Sequence, residues 1–292
     1  PTRLCYAGTV LHTRPRGPLE SRAPISVGLE LFGEASISAD IEVIEIFLQT
    51  LKTAGVMEVH LDLGHVDILR GLLSQANLDD FLEAQLCELL QRKARDELKD
   101  WIMVNIEDEK LGQWLNVLPT LMGSVEVLGA AREALVGAPT EVHEAIDQLA
   151  VVVDSITEMG VTVYIDLGEM PGYHYHTGIV FAGYVEGFGK ALGNGGRYDH
   201  VGEAFGRARP ATGFAFDLKS LMIRGQNEAI SGCGIFAPFT TDSKSHDQVR
   251  ILRSQGNRVV QGFEGQNVDF QEMKCDRQII KVDGKYIVQS LS

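Results

Sequence analysis

Strand-type segments lie at both ends of the first 228 residues, and a long helical stretch separates them. Residues from Arg3 to Val10 and from Ala23 to Phe32 have strand character and flank a loop rich in Pro and Gly, which predicts a hairpin. Residues 173–185 and 194–218 are rich in aromatic residues, Val, Ile and Gly, and predict further antiparallel strands. The pattern favours an α+β fold, an antiparallel sheet flanked by helices.

The segment between these strands is mostly helical in pattern. Apolar residues recur at helical spacing from Ile41 to Leu51, and alternation over residues 57–63 predicts a strand. From about residue 78 to 160 the pattern predicts a helical insertion that ends at Gly160. The alternating residues Val161–Leu167 then return the chain to the sheet.

A polar, glycine-rich stretch over residues 224–234 marks a domain boundary. We therefore predict a core over residues 1–228 and a small C-terminal α/β domain over residues 229–292. The smaller domain ends in a hairpin signal at Val282–Lys285, which contains Asp-Gly.

Composition excludes several classes of protein. Forty acidic against 26 basic residues give a net charge of −14, which argues against a nucleic-acid partner. No apolar run is long enough to cross a bilayer, so no membrane association is expected. The start of the chain lacks an export signal, and its four scattered cysteines suit reduced thiols, so a cytoplasmic location is expected.

The most distinctive motif is GYHYHTGIVF, which begins at Gly172. On a single strand, Tyr173 and Tyr175 would lie on one face, and His174 and His176 on the other. Two imidazoles on one face could hold a metal, but no Cys or carboxylate is placed to complete a zinc site. Structural histidines held by hydrogen bonds are the favoured interpretation, and no metal is predicted.

A second motif, GGRYD at residues 195–199, pairs two glycines with Arg197. The glycines allow a sharp turn or a close backbone approach, and the guanidinium is able to clamp a carboxylate. Alternatively, Arg197 pairs with Asp199 or with the neighbouring loop. A third motif, PATGFAFDL at residues 210–218, predicts a strand in which Gly213 leaves room against the backbone.

Common catalytic and nucleotide-binding signals are absent from the sequence. It contains no Walker motif, GxSxG elbow or HExxH. The glycines of residues 187–193 have the wrong spacing for a dinucleotide fingerprint. We therefore predict no cofactor.

Taken in order, the three motifs resemble the histidyl-tRNA synthetase family, one of the class II aminoacyl-tRNA synthetases. GYHYHTGIVF resembles its histidine-recognition strand, GGRYD its glycine-rich turn, and PATGFAFDL its motif 3. Residues 11–33 resemble a motif 2 loop and the strand after it, so the likeness spans residues 1–225 apart from the helical middle. It implies a class II synthetase-like sheet and a preceding N-terminal segment with motif 1.

Departures from this family's pattern imply that ligase chemistry is lost. His12 and Thr13 replace motif 2 residues that hold ATP, and only Arg14 is kept. Lys219-Ser220 stands where the synthetases carry Glu-Arg, and lysine at a different position cannot imitate a bidentate guanidinium. Pro171 replaces a further arginine beside the histidine pocket.

Other matching positions imply a retained histidine pocket. Glu30 matches the carboxylate expected to meet the α-ammonium, and Tyr175 and His176 match positions that line the imidazole pocket. Ser26 takes the place of a glutamine expected near the amino group, and Arg197 is the candidate carboxylate clamp. These five residues form the predicted histidine-binding site, and no catalytic residue is predicted.

Binding without activation is the pattern of the regulatory subunits of ATP phosphoribosyltransferase, which are synthetase paralogues. The resemblance implies a subunit that assembles with the short catalytic phosphoribosyltransferase, senses L-histidine as an effector in the first step of histidine biosynthesis, and self-associates. Residues 234–292 are too few for the ligase's anticodon-binding domain. Two alternatives remain open, an active histidine–tRNA ligase and an amino-acid-sensing module with another partner.

Overall fold

The computed structural model describes residues 1–13, 21–74, 76, 78–168, 172–224 and 233–291. The chain forms two compact units, Pro1–Asn227 and Glu228–Ser292. Three positions considered above, Arg14, Pro171 and the expected boundary after residue 228, lie outside the described residues. None of the helices in the described parts is long and apolar enough to cross a membrane.

An eight-stranded sheet forms the centre of the first unit, with strand order β1-β2-β8-β7-β6-β3-β5-β4. Neighbouring strands are antiparallel except β3 and β5, which are parallel, so the sheet is mixed. The strands are β1 Thr2–Thr9, β2 Ile25–Phe32, β3 His60–His65, β4 Met122–Gly123, β5 Thr162–Asp166, β6 Ile179–Tyr184, β7 Gly193–Arg197 and β8 Ala211–Asp217.

Helices of this unit include a long first helix before β3 and a helical region between β3 and β5. The short strand β4 interrupts that region and pairs with the end of β5, a feature that the helical pattern did not predict. The helices are α1 Ile37–Thr53, α2 Val66–Leu73, α3 Asp80–Gln91, α4 Arg95–Asn105, α5 Glu109–Val117, α6 Val127–Ala134, α7 Thr140–Ile156 and α8 Leu218–Arg224.

One face of the sheet packs on helix α1 through a cluster of aromatic rings. Phe47 of α1 is fully buried and stacks on Phe216, with ring centroids 4.7 Å apart. It also makes edge contacts with Phe181 and Phe214. Because successive side chains of a strand alternate, residues one position away from these phenylalanines point to the opposite face.

Two local predictions were wrong. Residues 172–175 form a turn, and the strand β6 begins only at Ile179, so the histidines and tyrosines of this motif do not alternate along one strand. Gly195 and Gly196, for which a sharp turn was expected as one possibility, lie within β7. A Cβ atom on Gly193 would lie 2.2 Å from the Phe216 ring, so the glycine provides room for a core aromatic side chain.

The described residues of the second unit form a four-stranded sheet of order β10-β9-β11-β12 and one helix. Strands β9, β10 and β11 are parallel, and β11 and β12 form the hairpin predicted from Asp-Gly. Asp283 and Gly284 have φ of 50° and 78°, the left-handed conformation that such a two-residue turn requires. Its elements are β9 Gly234–Ala237, α9 Ser243–Ser254, β10 Val259–Gln261, β11 Cys275–Val282 and β12 Lys285–Ser290.

Candidate functional site

The face of the sheet opposite α1 carries a row of residues without bulky side chains beside Glu30. In the register of β2, β8 and β7, Glu30 lies opposite Gly213, and Gly213 opposite Gly196. A Cβ atom on Gly213 would lie 1.8 Å from Glu30 Oε2, so the carboxylate occupies the space above this glycine. Gly213 and Gly196 therefore form a backbone floor, which we call the pocket floor.

Glu30 is held by two tyrosine hydroxyls. Tyr198 Oη donates a hydrogen bond to Glu30 Oε2, and Tyr6 interacts with both Glu30 and Ser26. Burial raises the pKa of the Glu30 carboxyl above its ordinary value, although both tyrosine hydrogen bonds oppose that shift. A positively charged ligand group would offset the cost of keeping this carboxylate ionised.

Tyr175 and His176 lie at the other end of the floor, on the turn that precedes β6. The Tyr175 ring stacks on Tyr198 with centroids 5.1 Å apart and an interplanar angle of 23°. A Cβ atom on Gly196 would lie 2.8 Å from His176 Cδ2, so the imidazole lies against the pocket floor. The structure therefore brings together three of the five predicted residues, Glu30, Tyr175 and His176. We call this group, with Tyr198 and the floor, the pocket.

Ser26 lies on the same face as Glu30 but further along β2. The two positions are four residues apart along the strand, a span of about 13 Å. Ser26 pairs with Gly8 on one side and Asp217 on the other, and its side chain interacts with Tyr6. It is connected to the pocket through Tyr6 and does not lie beside Glu30.

Arg197 points away from the pocket, and this position corrects the prediction that it clamps the carboxylate of a ligand. It pairs with Thr212, which is one residue away from the floor glycine of β8, so its side chain projects to the α1 face. Its guanidinium binds both oxygens of Asp40 on α1, with Nη2 2.7 Å from Oδ2. Both side chains are almost fully buried, at 7% and 2% exposure. The prediction that Arg197 pairs with Asp199 also describes a contact present here, at 3.2 Å.

Sequence reasoning missed the two residues that hold Glu30, Tyr6 and Tyr198. A Cβ atom on Gly28 would lie 2.5 Å from the Tyr6 hydroxyl, so the Tyr6 ring crosses the sheet over this glycine. The register of the predicted hairpin places Tyr6 opposite Gly28 and was a usable signal. Tyr198 lies two residues after Gly196 and by alternation shares its face.

At the end of β8, the positions expected to contact ATP carry groups with other partners. Ser220 is buried and donates to Asp217 Oδ2 at 3.1 Å, while Lys219 is exposed. The His12 backbone extends the β1–β2 hairpin by donating to the Arg22 carbonyl at 2.7 Å. Neither Ser220 nor Lys219 offers a guanidinium at this end of the sheet.

The histidines of the turn do not form a metal site in the described parts of the chain. His174 is exposed, whereas His176 is partly buried against the floor. No group of three or more His, Cys, Asp or Glu side chains among the described residues is arranged to hold a metal ion.

Comparisons with known proteins agree with this architecture. A family model described as histidyl-tRNA synthetase matches residues 1–221. A model described as the C-terminal domain of ATP phosphoribosyltransferase subunit HisZ matches residues 232–289. Among solved structures, an ATP phosphoribosyltransferase regulatory subunit/histidyl-tRNA synthetase from Bacillus halodurans has a TM-score of 0.75 at 24% identity, covering 94% of this chain and 71% of that chain.

A further solved structure with this fold is a chain of the ATP phosphoribosyl transferase (HisG:HisZ) complex from Thermotoga maritima. It has a TM-score of 0.58 at 20% identity, over 74% of this chain and 73% of that chain. These structural likenesses establish the class II synthetase-like fold.

Curated relatives are more similar in sequence. The ATP phosphoribosyltransferase regulatory subunit of Pseudomonas syringae pv. tomato is 50% identical over 286 residues, 96% of this chain and 72% of that protein. The regulatory subunit of Teredinibacter turnerae is 46% identical over 293 residues, 99% of this chain and 74% of that protein. The chain therefore belongs to the family of ATP phosphoribosyltransferase regulatory subunits.

Proposed function

We propose that this chain is a non-catalytic subunit that binds L-histidine in the pocket and regulates a short catalytic ATP phosphoribosyltransferase. The observation that carries the proposal is Glu30, a half-buried carboxylate held by tyrosine hydroxyls over Gly213, with the imidazole of His176 over the neighbouring floor glycine Gly196. An anionic group and aromatic rings on a floor of glycine backbone together suit a small cationic amino acid.

The separation between the two ends of the pocket is comparable to the length of one amino acid. Neighbouring strands are about 4.8 Å apart, so the two strand spacings from Glu30 to Gly196 span roughly 10 Å. The carboxylate at one end binds a positive charge, and the rings of Tyr175 and His176 at the other end pack against a flat side chain. Tyr198 connects the two ends because it bonds to Glu30 and stacks on Tyr175.

Absence of ligase activity is the second part of the proposal. Adenylate formation requires positive groups on the ATP phosphates. The chain has Ser220 where the ligases place an arginine, and that hydroxyl is buried and bonded to Asp217. The pocket therefore keeps the amino-acid end of a synthetase site without this phosphate contact.

Partnership with the catalytic subunit is supported by family membership and by the two-protein complex from Thermotoga maritima, which has a chain of this fold. Self-association is supported by β1, the outer strand of the sheet, because all eight of its residues are exposed. Such a strand is a ready site for pairing with another chain. A cytoplasmic location remains part of the proposal.

Two assays test this function. The full protein is mixed with the short catalytic subunit, and phosphoribosyl-ATP formation is measured with and without L-histidine. We expect stimulation by this protein and inhibition by histidine through a coupling free energy between sites. No stimulation at any ratio of the two proteins would contradict the partnership. Histidine-dependent exchange of pyrophosphate into ATP separates the proposal from the ligase alternative, since we expect none.

A further inference from the structure

The pocket turn, residues 172–176, positions both Tyr175 and His176 in the pocket. It precedes β6 and is not itself part of the sheet. The amides of Tyr175 and His176 both donate to the Gly172 carbonyl, at 2.7 and 2.9 Å. Gly172 has a φ of 65°, which favours glycine. The carbonyl oxygens of Tyr173 and His176 in this turn accept hydrogen bonds from outside it.

Arg70 of helix α2 supplies those hydrogen bonds. Its Nη2 donates to the Tyr173 carbonyl at 3.2 Å and to the His176 carbonyl at 3.0 Å. Its Nη1 donates to Asp67 one helical turn earlier at 2.7 Å. The guanidinium carbon also lies 5.3 Å from the centroid of the buried Tyr173 ring. One planar group thus makes four contacts, three of which join the turn to α2.

Helix α2 is a rigid support for this guanidinium. His65 caps its first turn, since Nδ1 accepts from the Asp67 amide, and its Nε2 donates to Gln148 of α7 at 3.1 Å. Gly71 packs closely on α7, because a Cβ atom there would lie 2.8 Å from Val142 Cγ2. The position of Arg70 is therefore set by the buried interface between two helices.

The contacts of the turn continue into the pocket. Tyr175 reaches Glu30 through its stacked partner Tyr198, and the His176 imidazole lies on the floor at Gly196. A shift of the turn would move both rings together, since both follow from the same backbone. Groups that hold a binding side chain in place affect affinity without touching the ligand.

We propose that Arg70 is a positioning residue for the pocket, which holds Tyr175 and His176 in their binding arrangement by fixing the pocket turn to α2. The proposal rests on the proposed function, since L-histidine is the ligand whose affinity it sets. Lysine cannot replace Arg70 fully, because a compact ammonium lacks the planar fork that reaches two carbonyls and a carboxylate.

The test compares Arg70→Gln and Arg70→Lys with Arg132→Gln as a matched control. The Arg70 and Arg132 side chains are 42% and 46% exposed, and each makes one ion pair on a helix surface. Calorimetric titration with L-histidine is expected to show affinity weakened roughly 3- to 30-fold in Arg70→Gln. We expect a smaller loss in Arg70→Lys, none in Arg132→Gln, and a nearly unchanged Tm in all three.

Hydrogen exchange of the ligand-free proteins gives a second, ligand-independent measurement. We expect the Tyr175 and His176 amides, both bonded to Gly172, to exchange faster in Arg70→Gln and at the wild-type rate in Arg132→Gln. Unchanged exchange, or wild-type histidine affinity in Arg70→Gln, would overturn the role of Arg70. Wild-type protein that takes up no histidine would instead contradict the proposed function, while exchange still reports on the turn.

Discussion

Tyr198 donates a hydrogen bond to Glu30 across the Gly213 backbone, and this contact joins the charged end of the pocket to its aromatic end. The carboxylate is half-buried, so its ionised form loses hydration that the tyrosine hydroxyls only partly replace. A ligand cation at this point would complete the set of partners. In the ligand-free protein, keeping Glu30 ionised therefore lowers the free energy of unfolding. Bound histidine is expected to raise it again.

Replacing Glu30 with glutamine separates binding from stability. We expect Glu30→Gln to weaken L-histidine binding by about 2 kcal/mol or more, because a ligand cation then lacks its counter-charge. Calorimetric titration measures this loss. Equal affinity in wild type and variant would refute the assignment of Glu30 to the ligand.

The same substitution is expected to raise the Tm of the ligand-free protein at neutral pH. The pKa of Glu30 is raised on folding, so its stabilising contribution is present below its unfolded pKa and is lost as pH rises through the folded pKa. Thermal unfolding from pH 4 to 8 should show the variant's advantage growing with pH. An advantage that is constant with pH would contradict this origin.

A methyl group on the pocket floor is expected to displace the carboxylate. In Gly213→Ala the new Cβ atom would collide with Glu30 and with the Leu29 carbonyl oxygen, 2.6 Å away. We expect a loss of about 1–3 kcal/mol in unfolding free energy together with weakened histidine binding. Gly8→Ala is the control, since it lies on a strand with no atom within 4 Å of the new Cβ. Urea unfolding and calorimetry compare the two, and equal behaviour would disprove the close approach.

Asp40 is expected to be essential to the sheet because it is the buried partner of Arg197. In Asp40→Asn the guanidinium loses its counter-charge while remaining buried, which costs about 3–5 kcal/mol in unfolding free energy. Asp147→Asn removes the partner of Arg132 on the surface and is expected to cost less than about 1 kcal/mol. Urea unfolding of both variants tests the difference, and a small effect in Asp40→Asn would show that the buried pair is dispensable.

In the second unit, Asp242 is expected to give acid-sensitive stability. It caps α9 and accepts from Lys281 Nζ at 2.8 Å and Tyr286 Oη at 2.9 Å. The Lys281 hydrogen bond, the α9 cap and the Tyr286 hydrogen bond lower its pKa from 3.8 to about 2. Because the folded pKa is depressed, this contribution is present above pH 3.8 and is lost as pH falls towards 2.

Amide hydrogen exchange in β11 and β12 measures that contribution. We expect Asp242→Asn to speed exchange relative to wild type at pH 5, with the difference closing as pH approaches 2. The control is Asp247→Asn on the same helix. The Asp247 carboxylate pairs with Arg250, one turn away on α9. A difference between Asp242→Asn and wild type that does not shrink between pH 5 and pH 2 would contradict the ionic origin.

Alternation and turn signals predicted much of the fold. The β1–β2 hairpin, α1 and α7 follow from local periodicity, and the Asp283-Gly284 hairpin follows from a dipeptide that favours its left-handed backbone. The class II synthetase-like fold was identified correctly from three motifs. Local patterns did not reveal that β3 and β5 are parallel, because strand order depends on contacts between distant segments.

The candidate site was harder to predict, since it depends on which face each side chain takes. Arg197 and Glu30 are both close to Gly213 in the register, yet one position of offset sends Arg197 to the α1 face. Arg70 is more than a hundred residues from the turn it supports, and no periodicity links them. In sequence, the glycines of β7 resemble a turn. The aromatic side chains that pack over them come from other strands, so the local pattern does not reveal why glycine is needed there.

The most direct test of the account measures phosphoribosyl-ATP formation by the short catalytic subunit with the full protein present, as L-histidine is titrated. Wild-type protein and Glu30→Gln are compared. We predict that both stimulate the reaction, and that Glu30→Gln requires at least about 30-fold more histidine for inhibition, the equivalent of 2 kcal/mol. Inhibition of both at the same histidine concentration would contradict the claim that this pocket senses histidine.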